Sequence, residues 1–162
     1  MSNPQRAVVV GASYAGLRAA ESLRRSGFAG ELAIVGAEPH HPYDRPSLTK
    51  GVLSGATDRD AIALPLPASL GEVTWRLGCT VTSSDLAAHR LSLDDGTDLD
   101  WDGLVIATGL RSQHLPLDWE PPRLSVRSLD DSEKLHAAMQ RAAQAGRRMV
   151  VVGAAHWRPP AG

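Results

Sequence analysis

A chain of 162 residues has the length of about one domain, and 43% hydrophobic against 22% charged residues is enough apolar side chain to bury a core. A formal net charge of −1 leaves no basic footprint for nucleic acid, and the one cysteine, Cys79, rules out an internal disulfide framework or a C-x-x-C redox pair. No apolar run approaches the roughly 20 residues of a membrane-spanning helix, and no signal-peptide pattern precedes the first predicted strand, so a cytoplasmic protein is expected.

Val8-Val9-Val10-Gly11-Ala12-Ser13-Tyr14-Ala15-Gly16 reads as a buried strand, a tight turn and the first turn of a helix. Three consecutive valines suit a parallel strand covered on both faces. Gly11 permits the sharp turn, Ser13 stands where the dinucleotide fingerprint has a second glycine, and Gly16 permits close helix–strand packing. The amides of Ser13, Tyr14 and Ala15 then open a helix whose N-terminus suits a pyrophosphate. The same residues also suit an ordinary strand–helix turn.

The helix carries Gly16, Ala19, Ala20 and Leu23 on one face. Arg24 and Arg25 complement the dipole in its last turn, and Gly27 is a left-handed stop. Leu32-Ala33-Ile34-Val35-Gly36 reads as a second strand, and Glu38 follows it, 22 positions after Gly16. An acid about 20 residues on binds the ribose diol of a dinucleotide. Strand, turn, helix, strand and acid in this order favour a dinucleotide site over an ordinary turn.

Pro39-His40-His41-Pro42-Tyr43-Asp44-Arg45-Pro46-Ser47-Leu48-Thr49-Lys50 is a stiff connection, with Pro46 holding Arg45 extended. His40 and His41 are adjacent and point apart, so no metal is expected there. Ser47 to Leu53 is predicted as a short helix carrying Lys50. Arg45 and Lys50 read equally as solvated surface charge.

The run E-P-x-x-P-Y-D-R-P-x-L-T-K, behind G-A-S-x-A-G-L-R-A-A-E-x-L-R, resembles the FAD-dependent ferredoxin reductases. These are the flavoprotein partners of dioxygenase and P450 systems, such as putidaredoxin and rubredoxin reductases, within the pyridine nucleotide-disulfide oxidoreductase superfamily. The resemblance implies an α/β, Rossmann-like three-layer fold with a parallel sheet and a small antiparallel meander, present here incomplete. It implies FAD, with Gly11, Ser13, Tyr14, Ala15 and Gly16 at the phosphates and Glu38 near the adenosine ribose. Serine at the Ser13 position is known in that family. Relatives often carry an acid at the position of Ala37 as well, or instead. Arg45 and Lys50 fall at positions that approach the flavin end.

Residues 54 to 72, rich in Gly, Pro and Asp, read as a connection broken by Pro65 and Pro67. Val73-Thr74-Trp75-Arg76 and Thr80-Val81-Thr82 are β-rich, and Leu91/Leu93 and Leu99/Trp101 alternate with polar residues around the hairpin signal Asp95-Gly96. Together they predict the antiparallel meander. Cys79 reads as a small core residue. The resemblance implies that Val81 touches the adenine through its backbone, a role compatible with a buried strand valine.

Leu104-Val105-Ile106-Ala107-Thr108-Gly109 is another buried strand and small-residue turn. With Asp102 it makes D-x-L-V-I-A-T-G, similar to the family's second FAD signature, so Ala107, Thr108 and Gly109 are implied at the cofactor. Arg111 is a phosphate or flavin neighbour or a solvated charge. Ser112 to Arg123 is loop-like, with Pro116, Pro121 and Pro122. Arg127 matches a family arginine that contacts FAD, or is solvated. Asp130-Asp131-Ser132-Glu133 resembles a capping box, and the helix after it is expected to bury Leu135, Ala138, Met139 and Ala142 before Gly146.

Met149-Val150-Val151-Val152-Gly153 is predicted to open a second βα unit, which in the family begins the NAD(P)H domain. Ala155 and Arg158 stand where glycines are required, and Pro159-Pro160 would break the helix. The resemblance covers about residues 6 to 154. It divides the chain into 1–112, a first segment of the FAD domain; 113–146, a linker and helix; and 147–162, a truncated start of the NAD(P) domain. The expectation is a fragment of a reductase that passes electrons from NAD(P)H through FAD to a small iron–sulfur protein, ferredoxin or rubredoxin in type. Alone it is expected to oxidise NAD(P)H inefficiently. The alternative is a non-catalytic nucleotide-binding remnant. A short-chain dehydrogenase is disfavoured, because Arg18 and Ser47 stand where a Tyr-x-x-x-Lys pair needs lysine.

Overall fold

The computed structural model of the protein describes residues 5–112 and 123–152. Strand β1 (Arg6–Val10) leads into helix α1 (Tyr14–Arg25) and strand β2 (Glu31–Gly36). After a long connection come β3 (Thr74–Leu77), β4 (Val81–Asp85), β5 (Arg90–Leu93), β6 (Asp98–Asp100) and β7 (Gly103–Ile106). A 3₁₀ turn at Arg45–Thr49 and the short helix α2 (Gly51–Ser54) lie in that connection, and helix α3 (Leu129–Gln144) follows β7.

The strands form two sheets. One is four-stranded and parallel, in the order β3-β2-β1-β7, and the other is the antiparallel set β4-β5-β6. The valines of β1 explain the layering. Ala7 and Val9 point to one face, where they pack with Leu17 and Ala20 of α1, Leu32, Ile34 and Leu70. Val8 points to the other, where it meets Ala33, Val35, Leu91 and Leu93. Side chains alternate across a strand, so β1 is apolar throughout because helix covers one face and meander the other. This is the expected three-layer α/β arrangement.

Helix α1 closes as Gly27 and Phe28 donate to the carbonyls of Arg24 and Leu23, the two bonds of a Schellman motif. Its buried stripe is Gly16, Leu17 and Ala20, so Leu17 joins the face read from the sequence. Arg24 does more than complement a dipole. Its guanidinium donates to the carbonyls of Leu70, Phe28, Gly30 and Glu72 at 2.8–3.1 Å. It thereby ties the end of α1 to the connection that precedes β3.

Several expectations need correcting. The 73–76 strand does not belong to the meander: β3 pairs parallel with β2, Ala33 opposite Thr74 and Gly36 opposite Leu77. A parallel neighbour needs a crossover of a dozen or more residues, and the long connection after β2 supplies one. The 47–53 helix is broken at Lys50, whose backbone (φ −108°, ψ −96°) is not helical. The capping box of α3 is Ser128 with Asp131, not Asp130 with Glu133. Ser128 Oγ accepts from the Asp131 amide, and the Asp131 carboxylate accepts from the Ser128 amide. The frame shifts because Leu129, 3% exposed, anchors the start of the helix against Tyr43, Leu48 and Ile62.

On α3, Leu129 and Ser132 are the buried residues; Leu135, Ala138 and Ala142 are half-buried, and Met139 is exposed. Among the described residues α3 packs on α2 and the 3₁₀ turn. Residues 149–152 form no strand, and Val150 is 86% exposed. A strand requires a neighbour to take up its amides and carbonyls, and none of the described strands pairs with this one. The expectations for Gly153, Ala155, Arg158 and Pro159-Pro160, and for Pro116, Pro121 and Pro122, lie outside the described residues.

Candidate functional site

The site is built at the end of β1. Gly11 has φ +122°, and a side chain there would put Cβ 2.2 Å from the carbonyl oxygen of Ala107. The turn after β1 therefore rests directly on the exit of β7. Gly16 lies so close beneath that a Cβ would be 1.8 Å from the Gly11 carbonyl oxygen. Two bare backbones in contact hold the start of α1 against the turn.

The first turn of α1 is left open. Ser13 is the extended N-cap residue, but its side chain makes no capping hydrogen bond, and no acid lies in the first turn. Tyr14 and Ala15 are exposed. The first amides of a helix have no partner within it, and here no cap side chain supplies one. Such an end, on a 12-residue helix, suits an anion of the pyrophosphate class.

Ser13 is turned instead to Arg45, whose Nε donates to Ser13 Oγ at 3.0 Å. The same guanidinium donates to Glu38 Oε1 at 2.5 Å and to the Arg127 carbonyl, and it lies 5.2 Å over the Tyr43 ring. Glu38 Oε2 accepts from the Tyr43 hydroxyl. Burial, and next the Glu38 carboxylate, push the Tyr43 phenol well above its ordinary range. Tyr43 therefore stays protonated and keeps donating. A carboxylate has about four acceptor positions; Arg45 and Tyr43 occupy two, which leaves room for the hydroxyls of a ribose.

The segment before Val81 runs beside this acid. The amide of Gly78 donates to the Glu38 carbonyl and that of Cys79 to the Gly36 carbonyl, both at 3.0 Å. Val81 is half-buried and packs with Cys79 on the meander-side core. Arg127 meets the exit of β7: its Nε donates to the Leu110 carbonyl at 2.9 Å, and its guanidinium lies over Gly109. Ala107 is half-buried, while Thr108 and Gly109 are exposed. Gly11, Ser13, Gly16, Glu38, Arg45, Ala107, Gly109 and Arg127 thus form one connected group. Lys50 and Arg111 are exposed, and no contact found among the described residues joins either side chain to it.

Two residues have roles here that their sequence context does not signal. Tyr43 is one letter of a motif there, and in the structure its hydroxyl is a partner of Glu38. Asp102 opens a strand signature, and its carboxylate accepts from the amides of Gln5 and Arg6 at 2.9 and 2.8 Å, pinning the start of β1 to β7. Those amides, Arg6 first, hold the Asp102 carboxyl below its ordinary range. His40 pairs with Asp130 at 2.8 Å, and His41 packs edge-on against Trp75.

Residues 5–156 match the family model described as pyridine nucleotide-disulphide oxidoreductase. The chain belongs to that family. Within the family it is 38% identical over 149 residues to the ferredoxin–NAD(+) reductase component of the p-cumate 2,3-dioxygenase system of Pseudomonas putida, covering 90% of this chain and 36% of that protein. It is similar to the crystal structure of the ferredoxin reductase for the CYP199A2 system from Rhodopseudomonas palustris, with TM-score 0.74 and 30% identity, over 85% of this chain and 35% of that one. A like match is to the covalent putidaredoxin reductase–putidaredoxin complex, with TM-score 0.70 and 30% identity, over 83% and 34%. The chain spans about a third of the length of these relatives. Among the described residues, no helix is long and apolar enough to cross a membrane.

Proposed function

We propose that this chain holds the ADP half of FAD, as the flavin-binding portion of a reductase that carries electrons from NAD(P)H to a small iron–sulfur protein. The open first turn of α1, seated on the backbone contact between Gly11 and Gly16, carries this reading. A side chain at either glycine would fill the space the turn needs, and the amides of Ser13, Tyr14 and Ala15 are placed for phosphate oxygens. Glu38, oriented by Arg45 and Tyr43, takes the adenosine ribose and disfavours a 2′-phosphate by charge. The segment entering Val81 lies on the adenine side. Ala107, Thr108 and Gly109 at the exit of β7, with Arg127 from the approach to α3, close on the cofactor, and Lys50 serves the flavin side.

When bound, FAD supplies hydride acceptance and single-electron release. The chain's own residues bind, orient and balance charge. The electron partner is proposed from the relatives: one is named a ferredoxin–NAD(+) reductase component, and another is described in a covalent complex with putidaredoxin. Calorimetry on the full chain with ADP and with FAD tests the reading. Both are expected to bind, FAD more tightly, and E38A to weaken both. Soluble, folded chain with no affinity for either would end it.

A further inference from the structure

The connection after β2 reaches two places at once. One is the nucleotide site, through Glu38 and Arg45. The other is the start of α3, which packs on that connection through a small separate core of Tyr43, Leu48, Ile62 and Leu129. Tyr43 is where the two meet. Its hydroxyl donates to Glu38 Oε2 and accepts from the Leu129 amide, at 3.0 Å. Leu129 is the first residue of α3. We propose that Tyr43 is a positioning residue that links docking of α3 to the state of Glu38, so that an adenine nucleotide seated at Glu38 and a docked α3 stabilise each other. This rests on the reading that the group around Gly11, Ser13 and Glu38 takes the ADP half of FAD.

The chemistry makes the link directional. Tyr43 is 6% exposed, and a phenol has one proton to give. That proton goes to Glu38, so the oxygen's lone pairs serve the Leu129 amide. If α3 lifts away, the hydroxyl loses its donor and the Leu129 amide its acceptor. The hydroxyl still donates to Glu38, but without the Leu129 amide its orientation is no longer fixed, and its hold on the carboxylate loosens. Arg45 repeats the link, because the same guanidinium that holds Glu38 also holds the Arg127 carbonyl, two residues before α3 begins. Further polar contacts of α3 on this connection do not touch Glu38: His40 pairs with Asp130 at 2.8 Å and Arg59 with Glu133 at 3.8 Å. Ser132 Oγ, fully buried, donates to the Leu48 carbonyl at 2.9 Å, and His136 Nδ1 donates to the Leu53 carbonyl at 2.8 Å. They set how firmly α3 docks, and the hydrogen bonds that reach from α3 and its approach to Glu38 itself run through Tyr43 and Arg45. A coupling between two binding events is reciprocal.

The test uses the full chain and three proteins: the parent, Y43F and S132A. Amide hydrogen exchange of residues 129–136 is followed by mass spectrometry with and without FAD, and FAD affinity is measured by calorimetry. In the parent, FAD slows exchange over 129–136. In Y43F, FAD binds about 5- to 10-fold more weakly, and this protection is reduced to what Arg45 alone transmits. In S132A, α3 exchanges faster without ligand and FAD binds about threefold more weakly, although Ser132 is far from Glu38 in the hydrogen-bond network. Should Y43F fail to fold, S132A decides alone. If FAD binds the parent without slowing exchange over 129–136, the link is refuted and the proposed function survives. The link is equally refuted if S132A frees α3 while FAD affinity stays unchanged. If neither FAD nor ADP binds the folded parent, the proposed function fails and takes the link with it.

Discussion

Gly16→Ala sets two effects of opposite sign against each other. Gly16 is the third residue of α1. From helix propensity alone, alanine there would stabilise the chain by about 1 kcal/mol. The added Cβ, however, would stand 1.8 Å from the Gly11 carbonyl oxygen and 3.4 Å from Val9 Cγ1. Side-chain carbons do not approach other atoms within 3.0 Å, so the turn and the helix must part by more than 1 Å. The obstacle is backbone and cannot rotate away. Overpacking a tight site costs about 1–3 kcal/mol, and a backbone obstacle belongs at the upper end. The net expectation is a loss of about 2 kcal/mol, the overpacking cost less the propensity gain. Urea unfolding followed by far-ultraviolet circular dichroism reads it as a lower midpoint at unchanged slope. The displaced turn carries the amides assigned to phosphate, so FAD affinity is expected to fall by more than about tenfold, a change of about 1.4 kcal/mol. A G16A chain as stable as the parent, or more stable, would show that propensity prevails and that the close packing at Gly11 is not real.

Three further outcomes follow from named contacts. R24A removes a guanidinium from four carbonyls and is expected to cost about 2 kcal/mol, hydrogen bonds to a charged group being worth about 1.5–3 kcal/mol each before solvent exposure is discounted. R24K should restore less than half in the same urea titration, because a single ammonium cannot span the fork. Asp102 is held below its ordinary range, so its contribution is present above about pH 4 and lost as pH falls through the folded value. D102N should therefore flatten the fall in urea midpoint on acidification from neutrality, and an unchanged acid slope would contradict this. Tyr43 is shifted upward, so its contribution is intact below about pH 10 and lost as pH rises beyond the phenol's ordinary value. In a Y14F background, tyrosinate absorbance should appear in the folded chain only with unfolding, and ionisation at the ordinary phenol pKa would show the hydroxyl is not engaged as described.

Much of the site was legible because it depends on backbone shape and local order. Gly11 and Gly16 stand where contact with a neighbouring backbone admits no Cβ, and Glu38 follows the second strand because its position is set by the length of one βαβ unit. The valines of β1 announced a strand covered on both faces. Less could be read where partners come from far along the chain. The 73–76 strand has the composition of either sheet, and only the crossover decided that it lies beside β2. Lys50 breaks its helix for reasons that composition does not contain. The capping frame of α3 turned on where Leu129 is buried, 86 residues from the Tyr43 hydroxyl its amide meets. Val150, Val151 and Val152 have the pattern of a strand, yet none forms among the described residues, because a strand is a property of two segments.

The amino-acid order alone determined the β1–turn–α1–β2 unit, the acid behind it and the meander hairpin, since each rests on neighbours within a few tens of residues and on the sterics of glycine and branched side chains. Tertiary structure alone decided that Arg45 holds Glu38, Ser13 and the approach to α3 with one guanidinium, and that Tyr43 stands between the acid and the helix. Hydrogen bonds between distant segments exist only once packing has brought their atoms to about 3 Å, and nothing in the spacing of letters measures that distance.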